Sequence, residues 1–361
     1  MSDKTTPNGT APNKTALRLG LAAPVFASPG IAGMRTPSFE RLSWQPVRDA
    51  VLLAEELGYD SVWFSDHLFH GRDGAFFESC TALAALAGST ERIRLVNNHL
   101  CNNFRPAPMT AKTSSTLDVI SGGRFELFLS PGMREREHTS YGFGWEPSRS
   151  VRTRQLAEAV LVIRKLWSGA AVDFDGEFYH LDGAISMPTP VQPGGPPVWI
   201  GGVLDDVTLE LIVTQADGWN TFPASLTEYA RLAALVDAAC RMRGRDPLTL
   251  KRSLETQVLV LDSPADEDRW MDTWDAMRER SPLGDAVSDM VGLSAPVNDR
   301  EAAWVRLRDD FIIGTREQVA AKLSAYAALG VTDVICWFMD FPSDASMRAL
   351  ASEIRLAIHS A

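Results

Sequence analysis

The stretch VLLAEELGYDSVWFSDH (residues 51–67) contains one complete unit of the predicted fold. Its first part carries apolar residues at the spacing of one helical face. Gly58 then stands where a glycine commonly ends a helix. The apolar run Ser61–Ser65 has the length and composition of a buried strand. Because Asp66 and His67 follow at once, the stretch predicts a helix, a turn, a strand and polar groups at the strand's carboxyl end.

The same unit recurs along the chain. Eight strands are predicted, at residues 17–25, 61–65, 93–96, 124–129, 197–201, 218–222, 254–261 and 334–338. Strands joined by helical crossovers are parallel, and eight such units close a barrel. The competing open doubly wound sheet usually has a glycine-rich turn after its first strand, and none is found here. The predicted fold class is therefore α/β, a (β/α)₈ TIM barrel with insertions.

Composition and charge narrow the class of protein. The 361 residues are 45% hydrophobic and 22% charged, as in an ordinary globular chain. The net charge of −11 disfavours binding to nucleic acid or to an anionic membrane. No apolar run reaches the roughly 20 residues of a membrane span. The four cysteines form no CxxC pair, so neither a metal site nor a disulfide framework is indicated. A cytoplasmic enzyme is expected.

Two segments depart from the repeating pattern. Residues 1–16 are polar and are expected to form a disordered tail before a barrel domain at 17–361. Residues 262–313 are acidic, contain three tryptophans, and are expected to form an inserted helical segment. That segment is predicted to cap the barrel mouth or to form a subunit contact.

Polar residues collect where the predicted strands end. Active sites of such barrels lie at this rim. His67 and His99 follow the second and third strands, and imidazole suits proton transfer near neutral pH. A single histidine there is more often structural, whereas for two at one rim a functional role for at least one of them is as well supported as a structural role for both. The other rim candidates are Asp66, Asn98, Gly132, Met133, Gly201, Gly202 and Asn220.

The other histidines are not assigned catalytic roles. His70 and Arg72, in the loop HGRDG, are assigned to the surface. His138 either lines the rim or begins a solvated helix, and His180 is assigned a structural role in a small hairpin.

Gly201 and Gly202 precede a helix that begins near Asp205. Backbone amides at a helix start form an anion site when glycine removes the side chains. A tight turn with nothing bound explains the same pair equally well, because glycine marks turns generally.

Several stretches together resemble the bacterial luciferase-like family of flavin-dependent oxidoreductases. They occur in one order from about residue 17 to the C-terminus. The stretches are GYDSVWFSDH (58–67), TLDVISGGRFEL (116–127), EREHTSYGF (135–143), PPVWIGG (196–202), ADGWN (216–220) and GTREQVAAKL (314–323). The resemblance implies a barrel that binds either reduced FMN or the deazaflavin coenzyme F420.

The resemblance also implies roles for individual residues. Asp66 and His67 would lie beside the cofactor ring, with His67 as proton donor or acceptor. Asn98 and His99 would form a bulge supporting the ring, often with a non-proline cis peptide in this family. The segment Gly201, Gly202, Val203 and Leu204 would hold the cofactor phosphate, and Gly132, Met133 and Asn220 complete the candidate cofactor contacts.

The sequence departs from the family after the fourth strand. Many relatives have a GAGW-like turn there, whereas this chain has Ser-Pro-Gly-Met at 130–133. Some F420-dependent dehydrogenases carry an acidic residue near this point, and Met133 cannot replace it. The proton donor would then be His67, His99 or a neighbour such as Glu135.

Three functions follow. The first is a monooxygenase that uses O₂ and FMN reduced by a separate flavin reductase, since no second nucleotide fingerprint is present. The second is an F420-dependent hydride-transfer enzyme, whose branch the stretch CNNFRPAP (101–108) resembles. The third is a catalytically silent barrel that acts as a binding protein. Both enzymes would act on a small organic substrate, and the relatives imply a homodimer.

Overall fold

The computed structural model describes residues 17–26, 41–71, 73–270, 272 and 300–356. The predicted disordered tail, Arg72 and most of the predicted insertion lie outside these ranges. All the strands of the barrel lie within the described residues.

Eight parallel strands close into the barrel, which confirms the predicted fold. In chain order the barrel strands are β1 Arg18–Ala22, β2 Ser61–Ser65, β3 Arg94–Asn98, β5 Phe125–Ser130, β8 Val198–Gly201, β9 Gly218–Thr221, β10 Lys251–Leu261 and β12 Asp333–Phe338. Closure depends on pairing between β9 and β10, where Asn220 lies in register with Ser253.

Among the described residues, four further strands lie outside the closed ring. They are β4 Leu100–Cys101, β6 Val172–Asp175, β7 His180–Ala184 and β11 Ile312–Thr315. The pair β6–β7 is the predicted hairpin. Strand β11 corrects the sequence analysis, which assigned Ile312 and Ile313 to the helical insertion. These residues extend the sheet because the long β10 continues past the barrel and offers its last residues for pairing.

Helices surround the barrel between successive strands. They are α1 Trp44–Glu56, α2 Ser79–Ala87, α3 Ala107–Ser121, α4 Glu135–Ser140, α5 Arg149–Leu166, α6 Asp206–Gln215, α7 Leu226–Met242, α8 Arg300–Asp310, α9 Arg316–Ala328 and α10 Ala345–Ala349, which continues as a π-helical turn at Leu350–Ile354. Strand α-carbons alternate faces, so every second side chain of a barrel strand enters the bore.

The bore is filled rather than open. The Trp63 ring packs edge-on against Trp199 at 5.3 Å and against Phe128 at 6.1 Å between centroids. Below them, the buried Glu126 carboxylate accepts hydrogen bonds from Arg94 and from the Trp199 indole. The packed bore restricts any bound molecule to the mouth at the carboxyl ends of the strands.

A second hydrophobic cluster lies at the mouth end. Trp304 and Leu307 of α8 pack there with Leu259 and Leu261 of β10 and with Met339, which follows β12. Helix α8 therefore lies beside the barrel mouth, on the side of β10 and β12.

Candidate active site

His67 is held by a buried carboxylate that comes from another part of the chain. Its Nδ1 lies 3.1 Å from both carboxylate oxygens of Glu137. The short helix α4 brings Glu137 there, and the same carboxylate accepts the backbone N–H of Leu68 at 3.1 Å. Burial opposes ionisation, but the hydrogen bond and charge of His67 lower the pKa of Glu137 below its usual value. Nδ1 is therefore engaged as a donor to this carboxylate.

A second histidine stacks on the first. The rings of His67 and His70 lie 5.0 Å apart with an angle of 29° between them. Arg134 donates from Nη1 to Nδ1 of His70 at 2.9 Å, which places the His70 proton on Nε2. His70 is 3% exposed, so its assignment to the surface was wrong. The loop folds inward because Arg134, which directly precedes α4, and Glu137 of α4 are its partners.

His99 lies across the mouth. Its Nε2 is 3.1 Å from Oε2 of Glu255, which belongs to β10. The His99 ring stacks on Phe222 at 5.2 Å and contacts Phe128 at 4.5 Å. The Asn98–His99 peptide is trans, unlike the cis bond common at this bulge in the family. The chain turns instead through a left-handed His99, with φ of 61°.

Asp66 is enclosed by protein partners. Arg105 donates two hydrogen bonds of 2.9 Å to its carboxylate, and the backbone N–H of Cys101 donates a third at 3.0 Å. Asp66 is 4% exposed. Its carboxylate fixes the loop after β3 relative to the loop after β2, and so sets the spacing of His67 and His99.

Gly132 and Met133 have different surroundings. Gly132 adopts φ of 81°, and a β-carbon there would lie 3.0 Å from the Cys101 sulfur and 3.1 Å from Nε2 of His138. Glycine is thus required by both conformation and space. Met133 is exposed at the rim. His138 is fully buried, with Nε2 3.5 Å from the Cys101 sulfur, so it lines the rim and does not begin a solvated helix.

The predicted phosphate loop follows β8 directly. Gly202 has φ of 116°, and a β-carbon there would meet only Nη2 of Arg149, at 3.6 Å. Arg149, the first residue of α5, also donates from Nη2 to the Val203 carbonyl. Asp205 caps α6 by accepting the Thr208 N–H at 2.8 Å. An open glycine, a helix start and an arginine meet here, although Asp205 adds a negative charge.

Several buried polar atoms at the strand ends have no hydrogen-bond partner within the described part of the chain. They are Oγ of Ser65, both amide atoms of Asn98, Oδ1 of Asn220 and both amide atoms of Gln257. Buried polar groups are normally satisfied, and a set of unsatisfied ones needs an explanation. These donors and acceptors fit the edge of a heteroaromatic ring that carries carbonyl oxygens and ring nitrogens, as FMN and F420 do.

Comparison with known proteins settles the family. The profile of the family described as luciferase-like monooxygenase matches residues 19–333. This chain belongs to the luciferase-like monooxygenase family. The match extends from the second residue of β1 to the first residue of β12, and so includes the six barrel strands between them.

Named relatives of this luciferase-like chain fall into two groups. An F420-dependent hydroxymycolic acid dehydrogenase of Mycobacterium tuberculosis is 30% identical over 64% of each chain. An F420-dependent glucose-6-phosphate dehydrogenase of Kineococcus radiotolerans is 27% identical over 82% of this chain and 88% of its own length. The crystal structure of monooxygenase RslO1 from Streptomyces bottropensis has a TM-score of 0.75 and 21% identity, covering 96% of this chain and 100% of that one.

The relatives and structural neighbours of this luciferase-like chain are thus named either for dependence on F420 or as monooxygenases. The hydroxymycolic acid dehydrogenase is matched over less than two thirds of its length, and other curated relatives over about half. None of the helices in the described part of the chain is long and apolar enough to cross a membrane.

Sequence reasoning missed several residues of this luciferase-like site. Glu137 was overlooked in favour of Glu135, which is exposed. The two glutamates differ only in which face of the six-residue helix α4 carries them. The sequence EREHTS does not reveal which face of that helix turns toward the barrel. Glu255 and Gln257 did carry a signal, because a charge and an amide inside the apolar strand RSLETQVLVL are unusual. Arg149 carried none.

Proposed function

We propose that this chain is an F420-dependent dehydrogenase that moves a hydride between the deazaflavin and a small organic alcohol or its carbonyl product. The observation that carries the proposal is the pair His67–Glu137 at the barrel mouth, with Nδ1 and the carboxylate 3.1 Å apart. Dehydrogenation of an alcohol requires a base for the hydroxyl proton, and an imidazole oriented by a carboxylate is such a base. The two curated relatives named as F420-dependent dehydrogenases support the choice of coenzyme.

Each residue of the pair has one task. Nε2 of His67 accepts the hydroxyl proton when an alcohol is oxidised and returns it when a carbonyl is reduced. Glu137 orients the ring through Nδ1 and stabilises the positive charge that the ring acquires. Bound F420 supplies the carbon that accepts or donates the hydride.

The stack around His67 limits water at the mouth. The Phe76 ring meets His67 edge-on at 5.3 Å, and His70 covers another face. Phe26 in turn meets the His70 ring at 4.9 Å. These rings present an apolar wall, which favours an organic substrate with a substantial hydrocarbon part.

The coenzyme would be held at two places. Asn98 and Gln257 would offer their amide groups to the ring, and Asn220 would offer its Oδ1, because these atoms have no hydrogen-bond partner within the described residues. The loop from Gly201 to Leu204 and the Arg149 guanidinium would hold the phosphate, because open backbone amides and a cation attract an anion. Met133 and Gly132 border the same rim, and Asp66 sets the spacing of its loops.

The second candidate is a monooxygenase that uses FMN reduced by a separate reductase. The fold match to a solved monooxygenase over the whole chain favours it. In that case His67 or His99 would hydrogen-bond the flavin, and O₂ would be consumed.

One titration distinguishes the two candidates. Purified protein is titrated with F420, FMN and reduced FMN, and binding is measured by calorimetry. Loss of the visible absorbance of oxidised F420 is then followed without oxygen, with hydrophobic secondary alcohols and with glucose 6-phosphate. We expect F420 to bind selectively and the alcohols to reduce it. Selective binding of reduced FMN with oxygen uptake would support the monooxygenase instead, and binding of no cofactor would support a silent barrel.

We also propose a cytoplasmic homodimer, by analogy with the family. Light scattering after size-exclusion chromatography measures the mass in solution. A mass of twice 39.5 kDa is expected, and a monomer at micromolar concentration contradicts it.

A further inference from the structure

A hydrogen bond crosses the full width of the barrel mouth. Around the ring, β3 and β10 are separated by β12, β1 and β2 on one side and by β5, β8 and β9 on the other. They are therefore opposite strands. His99 directly follows β3, and its Nε2 reaches Oε2 of Glu255 on β10 at 3.1 Å. The two hydrogen-bonded side chains together span the mouth above the packed bore.

Both oxygens of the Glu255 carboxylate are engaged. The indole Nε1 of Trp337, on the adjacent β12, donates to Oε1 at 2.7 Å. The Glu255 side chain is 2% exposed, so an ionised carboxylate there requires donors. An indole N–H can only donate and an ionised carboxylate can only accept. His99 must then present Nε2–H to Oε2.

The backbone and the ring faces of His99 are also held in place by surrounding structure. Its φ of 61° is uncommon for a residue with a side chain, and such conformations persist where surrounding structure enforces them. Phe222 stacks on one face of the ring at 9° between planes. Nδ1 of His99 makes no hydrogen bond within the described residues, and the side chain is 14% exposed. That nitrogen is presented to the mouth.

We propose that His99 is a second proton-exchanging group of this site, acting through Nδ1, and that Glu255 and Trp337 are its positioning residues. The inference rests on the proposed dehydrogenase function. In that reaction the alcohol carbon loses a hydride and its hydroxyl loses a proton, while the deazaflavin gains the hydride and one proton. Protons and electrons therefore balance. A proton leaves the alcohol hydroxyl and a proton arrives at the deazaflavin, and two proton-exchanging groups match these two places.

The test exploits the geometry of Glu255→Gln. Trp337 can donate only to the amide oxygen, so the glutamine NH₂ must face Nε2 of His99. Nε2 then has to accept, and the ring proton moves to Nδ1. Removing the indole N–H as well, in Glu255→Gln with Trp337→Phe, lets the amide turn its oxygen toward Nε2. The double variant should therefore regain the Nε2–H tautomer.

The readout needs no cofactor. Nitrogen-15 NMR of histidine-labelled protein reports which ring nitrogen of His99 carries the proton. We expect Nε2–H in the wild type, Nδ1–H in Glu255→Gln, and Nε2–H again in the double variant. Turnover with F420 should fall about 100-fold or more in Glu255→Gln, with KM little changed, and partly recover in the double variant. Asp175→Asn is the matched control, because Asp175 bonds the exposed His180 at 2.8 Å in the hairpin.

The outcomes separate cleanly. Nδ1–H in the wild type, or a Glu255→Gln variant that keeps both its tautomer and its turnover, overturns the inference. If Glu255→Gln does not fold, the wild-type tautomer and the Trp337→Phe variant decide, since the latter should keep Nε2–H. If no F420 turnover is found but the tautomers behave as expected, the proposed function fails while the positioning of His99 stands.

Discussion

Nδ1 of His67 lies 3.1 Å from each carboxylate oxygen of Glu137, a residue 70 positions further along the chain. The contact joins the loop after β2 to the short helix α4 after β5. It gives a buried carboxylate a hydrogen-bond donor and gives the imidazole a fixed orientation. The same pair is therefore expected to affect both the stability of the fold and the turnover of the enzyme. Unfolding and kinetic measurements test these two effects separately.

Replacing His67 with Ala should leave the fold intact and reduce turnover by about 10²–10⁴-fold, because the variant loses its acid–base group. Steady-state kinetics and circular dichroism measure the two effects. His180→Ala is the control, since His180 is an exposed histidine paired with a carboxylate of the β6–β7 hairpin. Turnover of His67→Ala equal to that of the control would refute the role of His67.

Ionised Glu137 should stabilise the fold above pH 4 and lose that contribution in acid. Burial opposes its ionisation, yet His67 lowers the pKa of Glu137 in the folded state. A carboxyl group with a lowered folded pKa contributes stability above its unfolded pKa of about 4.3, and the contribution disappears as the pH falls through the folded value. Urea unfolding from pH 7 to pH 3 should show the wild type losing more stability than Glu137→Gln. Parallel curves for the two proteins would contradict the assignment.

Gly202→Asp should weaken cofactor binding by tenfold or more. The substitution places a negative charge beside Arg149 and strains a backbone with φ of 116°. Gly202→Asn carries the same strain without the charge, so calorimetry on both variants isolates the electrostatic part. The Asp variant should bind more weakly than the Asn variant, and added salt should narrow the difference. Equal affinity of Gly202→Asp and wild type would exclude this loop as the phosphate site.

Arg105→Met should destabilise the protein by about 3–5 kcal/mol, because it leaves the Asp66 carboxylate buried without its cation. Adding Asp66→Asn should restore part of the loss by removing the uncompensated charge. Arg154→Met is the control, since the Arg154–Glu177 pair is exposed and should contribute under about 1 kcal/mol. Denaturant unfolding of Arg105→Met, Asp66→Asn, the double variant and the Arg154→Met control measures the coupling. Additive losses at Asp66 and Arg105 would show that the two residues act independently.

Local sequence patterns were enough to predict the barrel. The helix–turn–strand unit of residues 51–67 recurs with the periods of a helix and a buried strand, and each unit folds mainly against its neighbours. The eight predicted strands are the eight that close the ring. The sequence pattern did not predict β11. Its residues form a strand because they pair with the long β10, and their own sequence periodicity does not indicate a strand.

The sequence by itself determined the fold, the rim on which the polar residues lie, and His67, His99 and the glycine pair as candidates. These follow from short-range spacing and from the rule that parallel strands end at one edge. Only the tertiary structure decided which carboxylate each histidine meets. The phase of α4 selects Glu137 over Glu135, and barrel closure places Glu255 opposite His99. Such contacts depend on the registers of distant strands, which no local segment of the chain encodes.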